Sequence, residues 1–151
     1  VIILTGILFD ILGTAATAAT ETPFHAKAAK KVKGARQSIY LVSNADKVAN
    51  FANDVIGDIA GTVSGALGIS LVIYITTRIE SLDQLTMTIL VTATIAALTV
   101  GGKAFGKKTA VTHANEIIFL AGKVLFRVEQ FTGARIFGNN VKTKRTKKEK
   151  R

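Results

Sequence analysis

The chain has no cysteine and no tryptophan, one proline, one methionine and two tyrosines. Each shortage excludes something. Without cysteine there is neither a disulfide framework nor a thiolate metal site, and redox compartment leaves no mark on the sequence. With no tryptophan and only Tyr40 and Tyr74, the aromatic belt usual at membrane interfaces is thin. His25 and His113 stand far apart in polar stretches and read as surface residues, not as metal ligands. No Ser/His/Asp arrangement and no nucleotide motif is present, so no enzyme is expected. Gly101–Gly102 lacks the preceding strand of a phosphate loop and reads as a helix stop.

The single methionine is Met87, and the first residue is Val1. A translated chain starts with Met, so a preceding segment is expected. Residues 1–12 are short and apolar, and Ala15, Thr17 and Ala18 supply small residues, as in a signal peptide. No basic n-region is visible, however, and Asp10 interrupts the apolar run, which argues for a membrane span instead.

What the chain does have is apolar sequence in runs. Hydrophobic residues make up 48% of the 151, and mean hydropathy is +0.36. These values point to one all-α membrane domain over residues 1–138. Spans are expected over about 1–20, 55–77 and 85–100, each near the ~20 residues that cross a hydrocarbon core. Ala26, Ala29, Val32, Ala35 and Ile39 recur at helical spacing among lysines, predicting a juxtamembrane helix over about 23–43 with Pro23 in its first turn. A second such helix is expected over about 113–131, with Ile117, Leu120, Ala121, Val124, Leu125 and Val128 on one side. Residues 78–84 are too few for anything but a hairpin turn. Residues 139–151 form a low-complexity basic tail, expected to be disordered.

The formal net charge of +10 is segregated. Nearly all Lys and Arg fall in residues 21–50 and 103–151, while the hairpin sets Arg78 against Glu80 and Asp83. The positive-inside rule then places both basic stretches in the cytoplasm and the N-terminus outside, in a bacterial-type plasma membrane. In that setting the basic tail meets anionic lipid and not nucleic acid. Gly57, Gly61 and Gly65 form a four-residue repeat that lets another helix approach, either within the monomer or across a homodimer seam.

Three acids lie in otherwise apolar or small surroundings: Asp10, Asp54 and Asp58. A charge at membrane depth costs at least about 2.5–3.5 kcal/mol on insertion scales, so such residues are rare and usually functional. Asp54 and Asp58 share a helix face, roughly 6 Å apart along the axis. Asp10 reaches them if the first two spans pack together, with Thr14 and Thr17 offering hydroxyl oxygens. Such a trio suits a hard divalent cation, Mg²⁺ first, with Mn²⁺ or Ca²⁺ as alternatives. Three other roles stay open: a solvated acid pair at a helix N-terminus, ion pairs with Lys47, Lys103 or Lys107, and proton relay.

Phe9–Asp10–Ile11–Leu12–Gly13–Thr14–Ala15, Lys33–Gly34–Ala35 through Asn44–Ala45–Asp46–Lys47, and Gly102–Lys103–Ala104–Phe105–Gly106–Lys107 with Glu116 beyond follow one another along nearly the whole chain. In that order they resemble the transmembrane domain of the CorC/CNNM family of magnesium transporters. The resemblance implies a dehydrated Mg²⁺ held by side chains of the first two spans and by a backbone carbonyl near the exit glycine. On this chain those positions fall on Asp10, on Asp54 and Asp58 (or Asn50 and Asp54 in the competing register), and on Gly102. Lys103 and Gly106 depart from the family's acid and proline. The family's cytosolic nucleotide-binding CBS domains are not expected here, so nucleotide regulation is not carried over. The functional expectation is divalent-cation transport across the membrane by a homodimer. The alternative is a non-transporting scaffold that docks a partner or anionic lipid through its basic cytoplasmic face.

Overall fold

A computed structural model of the chain describes residues 1–79 and 83–132, and among these every regular element is helical. In chain order they are α1 (Ile2–Ala18), α2 (Thr22–Ala29), α3 (Ala35–Ser43), α4 (Ala45–Asn50), a π-helical segment (Phe51–Ile56), α5 (Gly57–Thr76), α6 (Gln84–Thr112) and α7 (Ala114–Thr132). The centre of the predicted hairpin turn and the predicted basic tail lie outside the described residues.

Two stretches are long and apolar enough to cross a membrane, Ala45–Thr76 and Gln84–Thr112. A third is reached if α1 and α2, bent by 91° at their junction, count as one broken span. None of the apolar window in Gln84–Thr112 is buried inside the protein, so that surface needs lipid or a partner around it. The hydroxyls along α6 fit this setting. Thr88, Thr92, Thr94 and Thr99 each donate to the carbonyl four residues earlier, at 2.7–2.8 Å, and present no unsatisfied donor to hydrocarbon.

Three boundaries differ from those the sequence predicts. The second long helix begins at Ala45, ahead of residue 55, and passes through the π-helical segment before the apolar part. Gly101–Gly102 does not stop α6, which runs on to Thr112. The reason is packing: a Cβ on Gly102 would run into Ile7, and one on Gly106 would stand 2.7 Å from Ile11 Cγ1. Those glycines admit α1 against α6 and do not terminate the helix. The juxtamembrane helix over 23–43 is two helices, broken where Lys31 (φ 55°) and Gly34 (φ 87°) adopt left-handed backbone. The helix over about 113–131 is present as α7.

Most of the buried core lies at the end of the helices away from the hairpin. Ala15 and Ala16 of α1, Phe24 of α2, Leu41 of α3, Ala110 of α6, and Ala114 and Ile118 of α7 form one cluster. Water can drive burial there, whereas between spans only close packing and polar contacts remain. The α3–α7 crossing is correspondingly tight. A Cβ on Gly122 would stand 2.6 Å from the Gly34 carbonyl oxygen and strike Ser38. Ser38 Oγ lies 3.0 Å from the Gly34 carbonyl oxygen and 3.2 Å from that of Ile118, across the same crossing.

Two polar ties fix the helix ends. Asp83 caps α6, accepting from Thr86 N at 2.8 Å and Thr86 Oγ1 at 2.7 Å, and these bonds lower its pKa. Glu21, at the start of α2, accepts from Ser43 Oγ at 2.6 Å and meets His25 Nε2 at 3.3 Å. The Ser43 bond, and then that of His25, hold the Glu21 carboxyl below its ordinary value of 4.5.

Two outcomes follow from these contacts. Gly122→Ala overpacks the α3–α7 crossing and lowers stability by about 1–3 kcal/mol, read as thermal unfolding in detergent. Because the Glu21 pKa is depressed on folding, its tie strengthens the fold above the ordinary carboxyl value and fades as pH falls through the lowered one. Ser43→Ala raises the Glu21 pKa in an NMR titration, and the stabilities of variant and wild type converge at acid pH.

Candidate functional site

The site is made where α1 passes between the other two long helices. Gly6, Asp10 and Gly13 recur at spacings of four and three, so they share one face of α1. That face runs antiparallel to the second long helix: a Cβ on Gly6 would stand 2.9 Å from Ala60 Cβ, and one on Gly13 would run into the Asn53 side chain. On the α6 side, Ile7 lies against Gly102 and Ile11 against Gly106, in parallel register. Asp10 falls between these contacts on both sides. It is 4% exposed.

Its partner is Lys103, whose Nζ stands 3.9 Å from Asp10 Oδ1. This is an ion pair by distance but too long for a hydrogen bond. Asp10 Oδ2 has no hydrogen-bond partner at all, and neither has Asn53 Oδ1; both atoms are buried. The ammonium also borders Gly57, where a Cβ would stand 3.1 Å from Lys103 Nζ. Asp10, Asn53 and Lys103 thus come from three separate elements, and glycines at 13 and 57 leave the space their polar heads occupy.

The π-helical segment supplies Asn53. Its i→i+5 bonding inserts extra backbone into an otherwise α-helical span, which turns residues before and after it relative to one another. In an uninterrupted α-helix Asn53 and Gly57 would lie one above the other. Across the π segment Asn53 addresses Gly13 of α1 while Gly57 addresses Lys103 of α6.

The residues expected from sequence are placed as follows. Asp10 is buried at the centre of the site. Asp54 and Asp58 are exposed. Among the described residues no three His, Cys, Asp or Glu side chains gather closely enough to hold a metal ion between them. Gly102 is interior to α6 and packed beneath Ile7. The Thr17 hydroxyl is spent on the Thr14 carbonyl, 2.9 Å away. Of the three lysines weighed as partners, Lys103 is the one that reaches an aspartate. Asn53 is the member that sequence reasoning missed. An asparagine one residue before Asp54 carries no signal unless the helix is known to change its winding there.

No family model, curated protein or solved structure matches the chain. The resemblance to the CorC/CNNM transmembrane domain therefore rests on the order of its motifs alone.

Chemically, the arrangement is rich in acceptors: two buried oxygens without a donor, and one ammonium that stands 3.9 Å from the other oxygen of Asp10. Oxygens so placed accept a hard cation or a water. The Asp10–Lys103 pair is tested by removing its halves separately and together. Lys103→Met leaves an uncompensated buried carboxylate and costs about 2–4 kcal/mol, near the lower end for buried pairs because Lys103 keeps a quarter of its side chain exposed. The Asp10→Asn/Lys103→Met double variant regains most of that loss in thermal unfolding.

Proposed function

We propose that this protein binds a hard divalent cation, Mg²⁺ first, at Asp10 and Asn53 between its membrane-embedded helices, and conducts it across the bilayer. The observation that carries the reading is the pair of buried, unpartnered oxygens, Asp10 Oδ2 and Asn53 Oδ1. An ionisable residue at this depth is costly, and substrate pathways are where such residues occur. Both oxygens are hard ligands with a strong preference for Mg²⁺, Ca²⁺ or Mn²⁺ over softer metals.

Lys103 sets the charge balance. With the ammonium 3.9 Å away, Asp10 is already neutralised, and a divalent ion entering beside it meets a like charge. The ion therefore binds as Lys103 withdraws toward its exposed side. Asp54 and Asp58, both exposed on the same long helix, gather cations near the mouth of the path. Basic cytoplasmic helices, an outside N-terminus and a homodimeric assembly complete the reading. Gly61 and Gly65 have open space beside them, which a second copy could use.

One observation favours a different role. Asp10 and Lys103 cancel each other's charge, as a purely structural pair does. A static pair would belong to a non-transporting scaffold whose basic face docks a partner. The two are separated by titration calorimetry and by Mg²⁺ flux in proteoliposomes. Asp10→Asn and Asn53→Ala each weaken Mg²⁺ binding at least about tenfold, equivalent to about 1.4 kcal/mol, and reduce flux in step. Asp54→Ala and Asp58→Ala have smaller effects. Removing residues 139–151 leaves flux intact, whereas a scaffold loses its partner. Unchanged affinity and flux in both Asp10→Asn and Asn53→Ala would remove the proposal.

A further inference from the structure

Away from the spans, two ammonium groups converge on one aromatic ring. Lys27 Nζ of α2 lies 3.8 Å from the centre of the Phe119 ring on α7, and Lys123 Nζ lies 4.5 Å from it. Lys27 is also 5.9 Å from the ring of Phe24, a fully buried residue that anchors α2. Ring quadrupoles attract each cation, but two like charges on one ring repel each other. Among the described residues, no ion pair of Lys27 or Lys123 with a carboxylate is seen, whereas His25 meets Glu21 and Lys103 meets Asp10. The arrangement lacks an anion.

The surroundings say which anion. Lys30, Lys31 and Lys33 in the α2–α3 turn, and Arg36 in the first turn of α3, are all exposed. That turn is held in place, since Gly34 is packed against the backbone of Lys123 itself. The turn and the ring therefore belong to one surface. Along α7, Leu120, Val124, Val128 and Phe131 are exposed, and Phe131 is 91% exposed. Their spacings of four, four and three make a continuous apolar stripe on one side of the helix, flanked by exposed Lys123 and Arg127. An apolar stripe edged by basic residues fits the headgroup–acyl boundary of a membrane. A free phosphate would have no use for the stripe. The chain also turns by 91° between α1 and α2.

We propose that α2, the α2–α3 turn and α7 form a binding surface for anionic phospholipid, with the headgroup phosphate seated between Lys27 and Lys123 over Phe119. Val124 and its apolar neighbours contact the upper acyl chain, and the turn lysines lie against adjacent headgroups. This surface does not depend on the cation site and stands or falls separately from it.

The test is native mass spectrometry of the full chain in detergent, titrated with phosphatidylglycerol or phosphatidylcholine, with thermal unfolding in nanodiscs of either lipid as a second readout. Wild type retains phosphatidylglycerol in preference to phosphatidylcholine and unfolds at higher temperature in the anionic nanodiscs. Lys27→Gln/Lys123→Gln binds phosphatidylglycerol about 10- to 30-fold more weakly, with phosphatidylcholine unchanged. Lys27→Arg/Lys123→Arg keeps the preference, which separates loss of charge from loss of fold. Equal retention of both lipids by wild type, or an undiminished preference in the glutamine variant, overturns the proposal. So does displacement of phosphatidylglycerol by inorganic phosphate at equal concentration, which would make the site one for free phosphate.

Discussion

A carboxylate held inside a bundle of apolar helices constrains almost everything around it. Asp10 is tolerated because Lys103 stands across from it, and Lys103 gets there because the helices approach at glycines. Gly6 and Gly13 bring α1 against the second long helix, Gly102 and Gly106 bring α6 against α1, and Gly57 leaves room for the ammonium. Replacing any of these with a larger residue would push apart the helices that keep Asp10 neutralised. The close packing therefore has an electrostatic consequence. The same approach leaves Asp10 Oδ2 and Asn53 Oδ1 without donors, so the fold stabilises the charge without fully satisfying its oxygens.

The two ends of the molecule are held by different forces. The cluster of Phe24, Leu41, Ala110, Ala114 and Ile118 is a conventional core, where α2, α3 and α7 meet the ends of α1 and α6. Toward the hairpin, α5 and α6 bury little of their apolar surface, and Leu67, Leu71, Leu90 and Leu98 remain exposed. Such a surface would aggregate in water and is ordinary in lipid. The polar site lies between these two regimes. It is deep enough for its charges to be costly, yet Lys103 retains a path to the exposed side.

Much of this architecture could be read from the sequence. Apolar runs located the long helices, the 3.6-residue pattern after His113 located α7, and the isolation of Asp10 marked it as the residue to explain. What could not be read has specific physical causes. Gly101–Gly102 reads as a helix stop because glycine is a poor helix former, but between spans its lack of a side chain is worth more than its propensity. The break after α2 was hidden because Ala26, Ala29, Val32 and Ala35 keep helical spacing across a turn made by Lys31 and Gly34. Asp54 and Asp58 share a face by α-helical arithmetic, but the residues just before Gly57 are wound as a π-helix. A register built on 3.6 residues per turn does not carry through that segment.

The π-helical segment also bears on how the site could work. Such segments bond less favourably than an α-helix and persist where something else gains from the altered winding. Here the same stretch of helix sets Asn53 against Gly13 of α1 and Gly57 against Lys103 of α6. α-helical winding through these residues would set Asn53 and Gly57 at a different angle to one another about the helix axis. Asn53 lies within the six-residue π segment and Gly57 directly follows it, so the two contacts share one stretch of backbone.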